Sequence, residues 1–255
     1  MRTLAGISLL LLFSLSSFGQ IKIHSHNDYA QQIPFLTAYV NKVDQIEADI
    51  FLVGDSLVVA HSKRELKSSN TLYNLYLKPI SVAFKKHHGR VSEDKSYTFS
   101  LMIDVKEKWD EVYPSLKEEI EKYGSMFDRS RNKNAIQIVI SGARPAHVTF
   151  TSFPKWLYFD GLPNINYTKR ELKRITMISD NFANYSKWKG VGEIPSLDKT
   201  KLATAIAQAH KLNKPIRFWG APDTGACWAQ LAALGADIIN TDKIAESKTY
   251  FGNNK

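Results

Sequence analysis

Gln45-Ile46-Glu47-Ala48-Asp49-Ile50-Phe51-Leu52 is the stretch on which the reading of the whole chain turns. Side chains alternate across a β-strand, so Ile46, Ala48 and Ile50 fall on one face while Glu47 and Asp49 share the other. Two neighbouring acids repel each other and lose hydration when buried. A hard cation such as Mg²⁺ or Ca²⁺ relieves both costs. The competing reading is an edge strand whose polar face is simply wet, and the surrounding sequence has to choose between them.

Working outward, residues 21–26 read as a strand and 33–41 as a helix. On the other side Gly54-Asp55 signals a turn, with Leu57-Val58-Val59 as a return strand leading to His61. Residues 71–87 carry Leu72, Leu75, Tyr76, Ile80 and Phe84 near helical spacing, and Pro79 is expected to break or kink that helix. A third strand follows at 97–105, then a helix over 109–123 closed by Gly124. Residues 135–140 form a nearly all-apolar fourth strand, as suits a strand buried on both faces. Short strands at 156–159 and 175–179 precede an Ala-rich helix over 197–212 with Ser196 as N-cap. A strand at 215–219, a helix at 226–234 and a strand at 236–240 complete the series. Eight strands separated mostly by helices, in 255 residues, predict an α/β fold of the (β/α)8 TIM-barrel type. Residues 161–175 leave room only for a loop and a short helix, so the fifth unit should be irregular. A doubly wound open sheet is the alternative architecture, but no glycine-rich turn follows the first strand.

Composition narrows the setting. Met1-Arg2-Thr3, an apolar run over 4–15 and Ser16-Ser17-Phe18-Gly19 have the form of a secretory signal peptide, 1–19, leaving 20–255 as a single soluble domain in the periplasm or outside the cell. Cys227 is the only cysteine, so no intrachain disulfide forms, and its helical spacing to Leu231 and Leu234 indicates packing. The formal charge of +9 attracts anions, among them phosphorylated small molecules and an anionic membrane surface. The basic residues are scattered and form no nucleic-acid module, so no nucleic acid is expected. Nothing points to an obligate protein partner.

In such barrels chemistry collects at the carboxyl ends of the strands. The first strand ends His24-Ser25-His26-Asn27-Asp28-Tyr29, with His24 and His26 on one face. The second carries Glu47 and Asp49 and leads to His61. The third ends Asp104-Val105-Lys106, and the seventh Arg217-Phe218-Trp219. Arg144, after the fourth strand, could bind phosphate, and His147 lies close to it in sequence. Three carboxylates, two or three imidazoles, a lysine and an arginine provide for a metal, an acid/base pair and an anion. That set suits phosphodiester cleavage, in which one imidazole deprotonates the nucleophile and another protonates the leaving oxygen.

His26, Glu47-Ala48-Asp49, His61 and Asp104-Val105-Lys106, in that order, resemble the superfamily of glycerophosphodiester phosphodiesterases and phosphatidylinositol-specific phospholipases C. The His-Ser-His-Asn-Asp-Tyr stretch, Arg217-Phe218-Trp219 and Asn240-Thr241-Asp242 are similar to its branch of altered inheritance of mitochondria proteins. Glu-Ala-Asp, Asp-Val-Lys and the later Trp are also similar to the sphingomyelinase D relatives. The resemblance implies one divalent cation, Mg²⁺ or Ca²⁺, on Glu47, Asp49 and Asp104. It implies His26 and His61 as acid and base, Lys106 on the phosphate and Trp219 beside the substrate. Asn27, His24, Arg144 and Arg217 complete the candidate substrate contacts. The chain departs from the glycerophosphodiesterase pattern where Asn27-Asp28, in place of Arg-Gly, follow His26. Asp104 stands where a Glu is usual. Two rival readings remain: a zinc hydrolase of the amidohydrolase type using the His24-x-His26 pair, and a barrel that binds a headgroup without cleaving it.

Overall fold

The computed structural model describes residues 20–253, so the expected signal peptide lies outside the described residues. Eight parallel strands close into a barrel: β1 (Lys22–Ser25), β2 (Gln45–Val53), β4 (Ser100–Val105), β5 (Gln137–Gly142), β6 (Leu157–Gly161), β7 (Ile175–Asn181), β8 (Ile216–Trp219) and β9 (Ile238–Thr241), with β9 pairing back onto β1. The remaining strand, β3 (Ser56–Val59), runs antiparallel to β2. The open-sheet alternative is thereby excluded.

Strand β2 is no wet edge. It pairs with β1 at Gln45 and Ile46, with β4 along Gln45 to Ile50, and with β3 along Ile50 to Val53. Strand β1 is too short to cover the upper half of β2, and the hairpin through Gly54 (φ +59) fills that gap. Ile46, Ala48 and Ile50 are fully buried against the outer helices, while Glu47 and Asp49 are buried inside the barrel. Burying each large aliphatic side chain contributes about 1.5–3 kcal/mol, which anchors the register that turns both acids inward.

The outer layer comprises α1 (Leu36–Val40), α2 (Lys78–Lys86), α3 (Trp109–Glu121), α4 (Lys169–Leu172), α5 (Ser196–Lys211), α6 (Gly225–Leu234) and α7 (Ile244–Asn253). Pro79 neither breaks the second helix nor ends it. Its ring and missing N–H fall where the chain widens into a π-helical turn, Tyr73–Leu77, just before α2. The expected irregularity of the fifth unit is present as the four-residue α4 and a register shift between Phe159 and Asp160. It extends further than expected, because only a 3-10 segment, His147–Ser152, separates β5 from β6. Ser196 is not an N-cap: it is the first residue of α5, and Pro195 holds the cap position. Cys227 is buried on the packing face of α6. Helix α7 lacked a strong signal in the sequence.

Inside the barrel, Met102, Val139, Met177 and Ile238 form a small apolar plug. Glu47 is in register with Met102, and Met102 with Val139; one step toward the carboxyl end, Asp49, Asp104 and Ser141 are in register. The barrel interior thus changes from apolar to ionic within two residues of strand.

Candidate active site at the carboxyl end of the barrel

Above the plug opens a cavity of about 530 Å³ lined by His26, Asn27, Glu47, His61, Asp104, Lys106, Arg144, Arg217 and Trp219 among others. Nine of the eleven candidate residues therefore meet around one space. Asp49, fully buried, lies just beneath it.

Oxygen atoms of Glu47, Asp49 and Asp104 lie within 4.8 Å of one another. Lys106 Nζ is 2.8 Å from Asp49 Oδ2 and 3.2 Å from Asp104 Oδ1. Burial pushes Asp49 up to about 6, with the Glu47 charge adding to the effect and Lys106 opposing it. Burial likewise raises Asp104 against the pull of Lys106. Gly142, on the neighbouring strand, makes room for this carboxylate. With φ +69, a Cβ there would stand 2.3 Å from Asp104 Oδ1 and 2.5 Å from the Val105 carbonyl oxygen. Asp49 Oδ1 is buried without a hydrogen-bond partner, and Asp104 Oδ1 has only the Lys106 ammonium beside it. An orphaned acceptor on an all-oxygen donor set fits a hard divalent cation.

Glu47 is held from below. Arg217 Nη1 donates to Glu47 Oε2 at 2.9 Å, and Arg217 Nε and Nη2 donate to Ser179 Oγ at 3.1 and 3.0 Å. Burial works to raise the Glu47 carboxyl, but the His24 hydrogen bond and the Arg217 guanidinium outweigh it and hold the group below the usual carboxylate range. Arg217 lines the cavity, yet Nη1 is engaged by Glu47 and Nε and Nη2 by Ser179.

His24 corrects an expectation. Its ring is fully buried, with Nδ1 2.9 Å from Gln45 Oε1 and Nε2 2.6 Å from Glu47 Oε2. Burial, reinforced by the Arg217 charge, pulls its pKa down to about 4, so the ring is neutral. It does not reach the cavity as a substrate contact. Both of its ring nitrogens are engaged, and the group of side chains that could hold a metal ion is Glu47, Asp49 and Asp104, without His24.

His26 is the accessible imidazole of that pair. Its Nδ1 is 2.8 Å from Asp242 Oδ1, and Nε2 is 4.0 Å from Glu47 Oε1. Burial disfavours the charged ring, but the Asp242 hydrogen bond and the charges of Glu47 and Asp242 prevail, and the pKa rises above 6.5. His61 comes from the loop after β3, where Ala60 N–H donates to the Asp49 carbonyl at 3.2 Å. Its Nδ1 faces Asp49 Oδ2 at 3.7 Å and the Tyr29 hydroxyl at 3.4 Å. That hydroxyl also lies 2.8 Å from Asp49 Oδ2 and 2.7 Å from Asn27 Oδ1. Asn27 (φ +44) turns the chain sharply after β1 so that it can do so. Arg144 pairs with the buried Asp160, which also accepts from Ser141 Oγ at 3.1 Å. His147 instead pairs with Glu171, 3.2 Å away, outside the cavity.

The roles of Tyr29, Asp160, Gly142, Ser179 and Asp242 are not evident from the sequence. Tyr29 and Asp242 stand in the His-Ser-His-Asn-Asp-Tyr and Asn-Thr-Asp stretches, which mark their positions but not their hydrogen bonds. Asp160 lies in a strand that ends at Gly161, two residues beyond its expected limit.

The solved structure of a glycerophosphodiester phosphodiesterase from Parabacteroides distasonis superposes with TM-score 0.58 at 16% identity, covering 92% of this chain and 99% of that one. One described as a glycerophosphoryl diester phosphodiesterase from Agrobacterium tumefaciens gives 0.51 at 11% identity, covering 92% and 99%. Both establish the barrel. Altered inheritance of mitochondria protein 6 homolog of Arthroderma benhamiae is 26% identical over 269 residues, 91% of this chain and 84% of its own. Altered inheritance of mitochondria protein 6 of Eremothecium gossypii is 22% identical, covering 88% and 67%. The class so defined is that of phosphoric diester hydrolases built on a (β/α)8 barrel. Residues 15–160 match the model of the AIM6-like phosphodiesterase domain, and the chain belongs to that family.

Proposed function

We propose that the protein is an exported, metal-dependent phosphodiesterase that cleaves a glycerophosphodiester or phospholipid-type phosphodiester. Its acid/base pair is His26 and His61, and one divalent cation, Mg²⁺ or Ca²⁺, is held by Glu47, Asp49 and Asp104. The observation that carries this reading is the convergence on one cavity of both imidazoles and three acids whose oxygens lie within 4.8 Å of one another. When bound, the cation supplies positive charge against the phosphoryl oxygens. The residues of the chain do the rest. His61 accepts the proton of the attacking hydroxyl, from water or from the substrate itself, as the new O–P bond forms. The bond to the leaving oxygen breaks, and His26 returns a proton to that oxygen; the Asp242 hydrogen bond keeps His26 charged for this role. Lys106 and Arg144 line the cavity and are assigned to the phosphate, and Trp219, also in its lining, is assigned a place beside the substrate. Export rests on the leader-like segment 1–19.

The test is a phosphodiester panel including bis-p-nitrophenyl phosphate, glycerophosphodiesters and lysophospholipids, read by phosphorus NMR after chelation and return of Mg²⁺ or Ca²⁺. Cation-dependent turnover lost in His26→Ala and His61→Ala is the expected result. Retained zinc that Mg²⁺ cannot replace, or binding without turnover across the panel, would overturn the reading.

A further inference from the structure

Large apolar side chains left in water are not spread evenly over this molecule. Eleven are exposed among the described residues, and nine of them lie at the carboxyl ends of strands, in the loops after them or in the first helical turns. Only Val40 and Val82 lie elsewhere. Leu162 and Trp219 line the cavity, and Val148, Val191 and Leu197 follow β5 and β7 at the same end of the barrel, Val191 being 87% exposed. These residues come from four separate connections, so chance solvation of a single loop does not explain them.

Positive charge accompanies them. Lys187 and Lys189 are exposed just before Val191, and Lys169 and Arg170 are exposed at the start of α4 in the connection that begins with Leu162. None of these four has an ion-pair partner among the described residues. Of the acids at this end, Glu193 is engaged with Lys199, Glu107 with Lys63 and Asp242 with His26, while Glu65 and Asp110, in the connections after β3 and β4, are exposed with no ion pair among the described residues. The face is therefore apolar at its tips and basic at its shoulders, the combination that an anionic phospholipid surface attracts through interfacial partition and counter-charge together.

We infer that the carboxyl-end rim is a docking face for an anionic phospholipid membrane, presenting the cavity to the bilayer surface. The inference names a partner for the proposed site, but binding and hydrolysis are read separately, so either can fail without the other.

Purified protein is sedimented with vesicles of phosphatidylglycerol and phosphatidylcholine, and with phosphatidylcholine alone. Binding should require the anionic lipid and weaken as salt is raised. Each basic residue near such a surface strengthens binding roughly five-fold, so Lys187→Ala with Lys189→Ala should weaken it about 25-fold. Val191→Asp should also weaken binding, while Val40→Asp and Val82→Asp should not. Hydrolysis of soluble bis-p-nitrophenyl phosphate should be unchanged in all these variants, which reports that they are folded and tests catalysis independently. Absence of vesicle binding, equal binding to neutral vesicles, or binding sensitive to Val40 and Val82 instead of the rim would overturn the inference.

Discussion

Gly142→Ala places a single methylene-sized group where the site has no room for it. The new Cβ would stand 2.3 Å from Asp104 Oδ1 and 2.5 Å from the Val105 carbonyl oxygen, against an ordinary contact of about 3.4 Å or more. Asp104 could swing away, but the Val105 oxygen belongs to the backbone of β4 and cannot. The strands would have to separate by about 1 Å to restore an ordinary contact. The positive φ of Gly142 adds roughly 1–2 kcal/mol of left-handed strain for any residue with a Cβ. Strain and displacement together should cost about 2–3 kcal/mol. At about 2–4 °C per kcal/mol for a chain of this size, Tm should fall by roughly 4–12 °C in a calorimetric scan. The chemical cost should be larger, since a misplacement near 1 Å can lose about 100-fold in rate. Titration of Mg²⁺ or Ca²⁺ against turnover of bis-p-nitrophenyl phosphate would report this as weakened cation dependence. Unchanged Tm together with unchanged cation affinity in Gly142→Ala would refute the claim that this glycine makes the space for Asp104.

Four further outcomes follow from the same geometry. Asp242→Asn removes the partner that raises the His26 pKa, so the alkaline limb of kcat/KM should move to lower pH, read from a pH–rate profile. The same pair contributes stability below the unfolded value of 6.5 that is lost as pH rises through the folded pKa, so the Tm gap between wild type and Asp242→Asn should be widest on the acidic side and close at alkaline pH. Arg217→Leu strands Glu47 as a buried charge, and the loss should be about 3–5 kcal/mol in chemical denaturation, partly recovered by added divalent cation. Glu47→Gln and Asp104→Asn should abolish cation-dependent turnover, and the stabilisation expected of wild type from saturating cation, about 2.7 kcal/mol at 100 times Kd and read as a rise in Tm, should vanish with it.

The barrel was legible because its strands announce themselves twice, by apolar runs such as Ile138-Val139-Ile140 and by polar residues at their carboxyl ends. Glu47 and Asp49 could be placed inside because alternation with Ile46, Ala48 and Ile50 leaves them no other face. What alternation cannot tell is depth. His24 and His26 share a face two residues apart, yet one is sealed under Glu47 and the other opens to the cavity. That difference depends on Gln45, Arg217 and Asp242, two of them distant in sequence. The missing helix after β5 and the role of Asp160 were hidden for a related reason, since short or irregular connections have no period to read.

The lysine between Asp49 and Asp104 has a consequence for how the molecule comes into being. A carboxylate pair in a barrel interior would ordinarily oppose closure of the strands that carry it. Here a countercharge is built into the same strand-end segment as Asp104, two residues further on, and arrives whenever that segment does. Neutralisation is therefore encoded in the chain itself, and maturation can run in an order, barrel first and cation afterwards, that does not make folding wait on the ionic composition of the surroundings.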